Sequence, residues 1–137
     1  MDAGLQTTVP GVFACGNVLH VHDLVDYVTE EAERCGRFVA RYLRGEYERT
    51  QYRVSAGANV RYIVPNRFFP SQENRFYLRP LIVKNQARLS VKLDGEEIKS
   101  RRLPHVQPSE MLSFTLKPAE LAGVSALNEN DLEAGIA

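Results

Sequence analysis

The side chains able to do chemistry in this 137-residue chain are concentrated in one run, Cys15-Gly16-Asn17-Val18-Leu19-His20-Val21-His22-Asp23. His20 and His22 alternate, so on an extended segment both rings point to one side. With Cys15 or Asp23 they could supply three ligands to a metal ion. A lone His-x-His without a second ligand cluster argues against that use, and no metal is expected. The two cysteines, Cys15 and Cys35, stand twenty positions apart, neither with a partner close by in the sequence. Cys15 lies in an apolar run, where an inert buried thiol is the expectation. Two cysteines do not make a disulfide framework, so a reducing, cytoplasmic home is the simplest reading. His105 has no visible partner.

A second set of candidates interleaves basic and aromatic side chains: Tyr52, Arg53, Arg61, Tyr62, Arg67, Phe68, Phe69, Arg75, Phe76, Tyr77 and Arg79. A barrel that stacks single-stranded nucleic acid needs such a mixture. Alternating strands that bury Tyr and Phe while Arg faces water produce it equally well. The sequence pI of about 6.8 lies well below that of basic nucleic-acid binders, so such binding is not expected.

Seventeen Lys and Arg balance seventeen Asp and Glu, but unevenly. Residues 1–45 carry a net −2, residues 46–103 a net +6, and residues 104–137 a net −4. The basic middle could face an acidic partner or simply be a solvated sheet surface. With 44% hydrophobic and 25% charged residues, the chain has the composition of a globular domain rather than a disordered one. No apolar run is long enough to span a membrane, and the first residues lack a signal peptide's basic and apolar regions.

Three kinds of element must position the candidates. Val12-Phe13-Ala14-Cys15, after the Pro10-Gly11 turn, reads as a short buried strand that ends at Gly16-Asn17. Over 24–44, apolar residues at spacings of three and four (Leu24, Val25, Val28, Ala32, Cys35, Phe38, Val39, Tyr42, Leu43) predict a helix with one buried face. Asp23 is the expected N-cap, with Asp26 in the capping-box position, and Gly45 the expected C′ residue. Acids fill the first half of this helix and arginines the second, which complements its dipole. Gly36, inside the pattern, suggests close packing against a neighbour. Beyond Gly45 the period becomes two, predicting strands near 59–64, 75–81, 87–93, 96–103 and 110–116. Asp94-Gly95 predicts a two-residue hairpin. Prolines 65, 70, 80, 104 and 108 sit between or at the ends of these runs. Such strands suggest a β-sandwich or an open barrel. After a possible helical turn at Lys117–Leu121, the tail from Leu127 shows no period and reads as frayed.

The stretch Thr8-Val9-Pro10-Gly11-Val12-Phe13-Ala14-Cys15-Gly16-Asn17-Val18 resembles the second flavin-binding motif of pyridine nucleotide–disulfide oxidoreductases and thioredoxin reductase-like flavoproteins, T-x-V-P-G-V/I-F-A-x-G-D-V. The resemblance covers strand, turn and helix, about the first 45 residues. It implies that Gly16 lets the backbone approach FAD and that Asn17, where the family has Asp, meets the ribityl chain. Val18 adjoins them, and Leu24 and Val25 fall where the helix N-terminus meets the flavin ring. A helix N-terminus there favours the negative charge that develops on the reduced flavin.

The family's G-x-G-x-x-G segments for FAD and NAD(P)H and its C-x-x-C pair are absent from this sequence. The resemblance therefore implies the C-terminal portion of a longer FAD-dependent, NAD(P)H-linked oxidoreductase, inactive alone. Residues around Val60-Arg61-Tyr62-Ile63-Val64-Pro65 and Pro108-Ser109-Glu110-Met111 are similar to a C-terminal extension in a bacterial subgroup found beside glycerol-3-phosphate dehydrogenase-like proteins. That similarity implies a docking role, with a dehydrogenase subunit as a possible partner. The expected fold is α+β: an FAD-domain strand and helix over 1–45, an antiparallel, sandwich-like β domain over 46–118, and a short helical turn and tail over 119–137. The apolar face of the 24–43 helix is expected either to mediate a homodimer or to pack on the β domain. The alternative is a small β binding module without a redox role.

Overall fold

Residues 46 onward build two sheets that enclose one apolar core, and the residues before them lie against the outside of the smaller sheet. The computed structural model describes residues 1–122 and 132–137. A single 3-10 turn, Gly16–Val18, precedes helix α1, Val25–Leu43. The strands are β1 Tyr52–Ala56, β2 Val60–Val64, β3 Arg67–Phe68, β4 Asn74–Pro80, β5 Lys84–Leu93, β6 Glu96–Val106, β7 Leu112–Leu116 and β8 Leu132–Ile136, with a short helix α2, Pro118–Leu121, before the last. One sheet has the order β3-β1-β8-β5-β6 and the other β2-β4-β7. Only the β1–β8 pairing is parallel among those described. The fold is thus α+β with mixed, mostly antiparallel sheets.

The core follows from alternation. In β5, Ala87, Leu89, Val91 and Leu93 are buried while Arg88 and Lys92 are exposed. Phe76 and Leu78 of β4, Phe114 and Leu116 of β7 and Leu132, Ala134 and Ile136 of β8 meet them from both sheets. Phe76 stacks on Phe114 with ring centroids 4.9 Å apart. The β5–β6 hairpin turns at Asp94 (φ 53°) and Gly95 (φ 82°), the left-handed pair that a two-residue type I′ turn requires.

Several expectations need correction. The tail is not frayed at its end: residues 127–131 lie outside the described residues, but β8 sits between β1 and β5 in the larger sheet. Its segment Leu132-Glu133-Ala134-Gly135-Ile136 does alternate, although one glycine and one acid in five residues hide the period. Strands β1 and β3 were not expected either. Residues 12–15 do not form a buried strand: a single bridge joins Phe13 to Gln6, and Val12 is exposed. A ladder needs a neighbouring strand, and only that one bridge is available here.

Helix α1 begins at Val25 after an extended Leu24 (ψ 143°), with no side-chain cap. Asp23 does not cap it, because its carboxylate accepts from Arg79 and from the Met111 amide instead. A Cβ on Gly36 would meet nothing within 4 Å, so no close neighbour demands that glycine. Gly45, at φ 75°, ends the helix as expected. Pro104 lies within β6 rather than at an end, which is tolerable because β6 is an edge strand.

The apolar face of α1 packs in part on the β unit. Phe38 meets Phe69, Tyr27 approaches Tyr77, and Phe13, Tyr42 and Tyr47 complete an aromatic cluster. Arg34 donates to the Arg75 carbonyl and Arg41 to the Gln72 amide oxygen. Val25 and Leu43, at the two ends, stay exposed. No helix among the described residues is long and apolar enough to cross a membrane.

Candidate functional site

The site is assembled where the loop after Cys15 folds back on α1. Gly16 adopts φ 74°, a conformation that strains any residue with a Cβ, and a Cβ there would touch Val28 at 3.5 Å. The resulting turn directs the Gly16 N–H at Glu31 Oε1, 2.7 Å away. The extended segment that follows places His20 and His22 on the same side, as their spacing predicts, with rings 4.2 Å apart. His20 Nε2 lies 2.8 Å from Glu31 Oε2, and His22 Nε2 lies 3.2 Å from Oε1.

All three side chains are buried, and Glu31 is 0% exposed. Tyr77 of β4 packs against both rings, so the cluster lies at the junction of loop, helix and the smaller sheet. Burial by itself pushes the Glu31 carboxyl up. The hydrogen bonds from His20, the Gly16 amide and His22 outweigh it and hold the group below its ordinary value, ionised. For both rings to donate to one carboxylate, each carries its proton on Nε2. Both Nδ1 atoms are buried without a partner among the described residues.

Glu31 was not among the sequence candidates. It reads as one of four acids in the first half of a helix. Its position, however, falls in the apolar stripe Leu24, Val28, Glu31, Cys35, Phe38, Tyr42, which advances by fours and threes. A carboxylate in such a stripe must find donors when it is buried, and that is the signal that could have exposed it. Of the other proposed ligands, Asp23 is turned away. Its oxygens are 2.8 Å from Arg79 Nη2 and 2.5 Å from the Met111 amide. Burial raises its pKa but these bonds, Arg79's first, lower it on balance. Arg79 also donates to the Val21 carbonyl and the Tyr62 hydroxyl, and so clamps the loop to β4.

Cys35, one helical turn beyond Glu31, is buried. Its thiol is pushed up to about 11, first by burial and then by Cys15, which hydrogen-bonds it. The two cysteines are therefore spatial neighbours although neither has a partner nearby in the sequence. Both are free thiols, and burial disfavours the Cys35 thiolate.

Of the residues assigned to flavin contact, all but Gly16 are on the exposed side of this loop. Gly16 is buried, and Asn17 is exposed with its Oδ1 accepting the His22 amide at 3.2 Å. Val18 is 83% exposed and Val25 80%, with Leu24 and Val21 also exposed beside the start of α1. The N-cap residue Leu24 gives α1 no side-chain cap. The basic-aromatic set of the β unit is different. Phe68, Phe69, Phe76 and Tyr77 are fully buried and unavailable for stacking on bases. His105 stays on the surface, bonded to Asn85. Comparison with protein-family models, with characterised proteins and with solved structures found no match for this chain.

Proposed function

We propose that the chain supplies the ribityl and isoalloxazine side of the FAD site in a longer NAD(P)H-linked, cytoplasmic oxidoreductase, and is inactive alone. The observation that carries this reading is the N-terminus of α1, which Leu24 does not cap with its side chain, together with exposed Val18, Val21, Leu24 and Val25 along the chain from the Gly16 turn to the helix start. Exposed apolar side chains beside a helix N-terminus suit a flat aromatic ring whose one edge becomes anionic. The residues fit that group. Gly16 keeps the backbone bare where the loop turns, and the Asn17 oxygen can accept a second bond beyond that from His22. FAD, when bound, would supply the hydride chemistry. The chain's own residues would orient it, exclude water through Val18, Leu24 and Val25, and offer N–H groups to its pyrimidine edge.

The Glu31 bonds to Gly16, His20 and His22 support the same reading as a scaffold, since they fix the loop from behind while its outer side stays open. The basic β unit would then serve as a docking surface for a dehydrogenase subunit, or for a second copy meeting the exposed ends of α1.

The test is the product of the complete reading frame that contains this chain. It should purify yellow, and Asn17→Leu and Val18→Asp should each lower its FAD content while the product stays folded by circular dichroism. A folded, colourless product would refute the proposal.

A further inference from the structure

We propose that His20, His22 and Glu31 form a binding site for one divalent transition-metal ion of the zinc type. The inference is independent of the flavin reading, because it concerns the buried side of the loop. One ligand atom from each residue lies within 4.8 Å of the other two, and all three residues are buried. The histidine Nε2 atoms sit 2.8 and 3.2 Å from the Glu31 oxygens. A tetrahedral zinc ion with bonds of about 2.0–2.2 Å holds its ligands about 3.4 Å apart, so a small outward shift admits it. Two imidazoles and one carboxylate suit zinc, cobalt(II) or iron(II) rather than a soft copper(I) or a hard calcium ion.

The geometry is also set from outside the cluster. The Gly16 amide holds Glu31 Oε1, and Tyr77 packs on both rings. In the metal-bound form the ring protons move to the Nδ1 atoms, which have no acceptor among the described residues. Metal-ligating histidines normally donate that proton to an outer partner, and loss of such a partner costs about 10–100-fold in affinity. The site is therefore weaker than a closed structural zinc centre. The ion would cross-link the loop to α1.

Chelator-treated chain is titrated with Zn²⁺ by calorimetry and with Co²⁺ by visible absorption. The expected result is one equivalent of either ion, a rise in melting temperature, and Co²⁺ bands of a four-coordinate nitrogen–oxygen site. His20→Ala and His22→Ala, shown folded by circular dichroism, should weaken binding at least about tenfold. A Cys15→Ser, Cys35→Ser double variant should bind as the parent does. Folded parent chain that takes up neither ion overturns the proposal. So does binding that survives loss of both histidines, or that disappears with the cysteines.

Discussion

The β unit and the loop–helix segment before it are held by different forces. The β unit closes over a single apolar core fed by all eight strands and by Leu121 of α2. In helix α1, nineteen residues long, Glu31 and Cys35 alone are buried. Its hold on the rest comes from aromatic edges and from directed bonds: Glu31 to the loop, Arg34 to Arg75, Arg41 to Gln72, and Arg75 to Glu30. Area burial is tolerant of geometry, whereas a buried carboxylate shared by three donors fixes one arrangement. The contrast suits a scaffold that supports a loop whose outer side must keep its shape while remaining exposed.

Changes in each region should break this contrast differently. The largest effect is expected from Phe76→Ala, which removes a ring stacked on Phe114 in the centre of the core. A loss of about 3–5 kcal/mol by denaturant titration is expected, carried by the β unit, whose unfolding also removes the support of the loop–helix segment. Glu31→Ala leaves two imidazoles and a backbone amide unpaired in a buried site. We expect a loss of about 3 kcal/mol, localised by hydrogen exchange: protection should fall over residues 16–22 and α1 while the β5 and β8 amides keep theirs. Equal loss in both regions would mean that they are one cooperative unit and that the contrast is wrong.

A smaller effect is expected from Arg79→Met, which cuts the clamp between loop and β4 and should cost about 1–2 kcal/mol. It also carries a pH signature. Asp23 has a lowered pKa in the folded chain, so its contribution is present above its unfolded value of 3.8 and is lost as pH falls through the lower folded value. The acid limb of the stability profile should therefore flatten in Arg79→Met. An unchanged acid limb would show that the pair contributes nothing. The smallest effect is a gain. Gly36→Ala, at an exposed helical position with no neighbour near its Cβ, should raise stability by about 0.5–1 kcal/mol, read as a higher melting temperature. A loss there would point to a contact along α1 that the structure does not contain.

Much of the β unit was legible in the sequence because burial writes itself as alternation. Leu89, Val91 and Leu93 against Arg88 and Lys92, joined by Asp94-Gly95, mark a strand and its turn from residue types alone. Strand β8 was not legible, since its pairing depends on partners about 40 and 80 positions away in β5 and β1, and glycine and acid dilute its pattern. Helix α1 was legible from its stripe, but its start was not. Asp23 carries the ordinary N-cap signature, and only the distant Arg79 and Met111 draw it elsewhere. The candidate site divides in the same way. That His20 and His22 share a side follows from their spacing, while Glu31 is brought to them by the fold-back at Gly16. A local pattern reveals which atoms point together, and the third group needed tertiary structure.

The central claim is that the outer side of this loop is a flavin surface. The most direct measurement is the FAD content of the purified product of the complete reading frame, by absorbance after denaturation. The account predicts one FAD per chain, falling on Asn17→Leu or Val18→Asp in products that remain folded. A folded product without flavin, or flavin content indifferent to both changes, would contradict it.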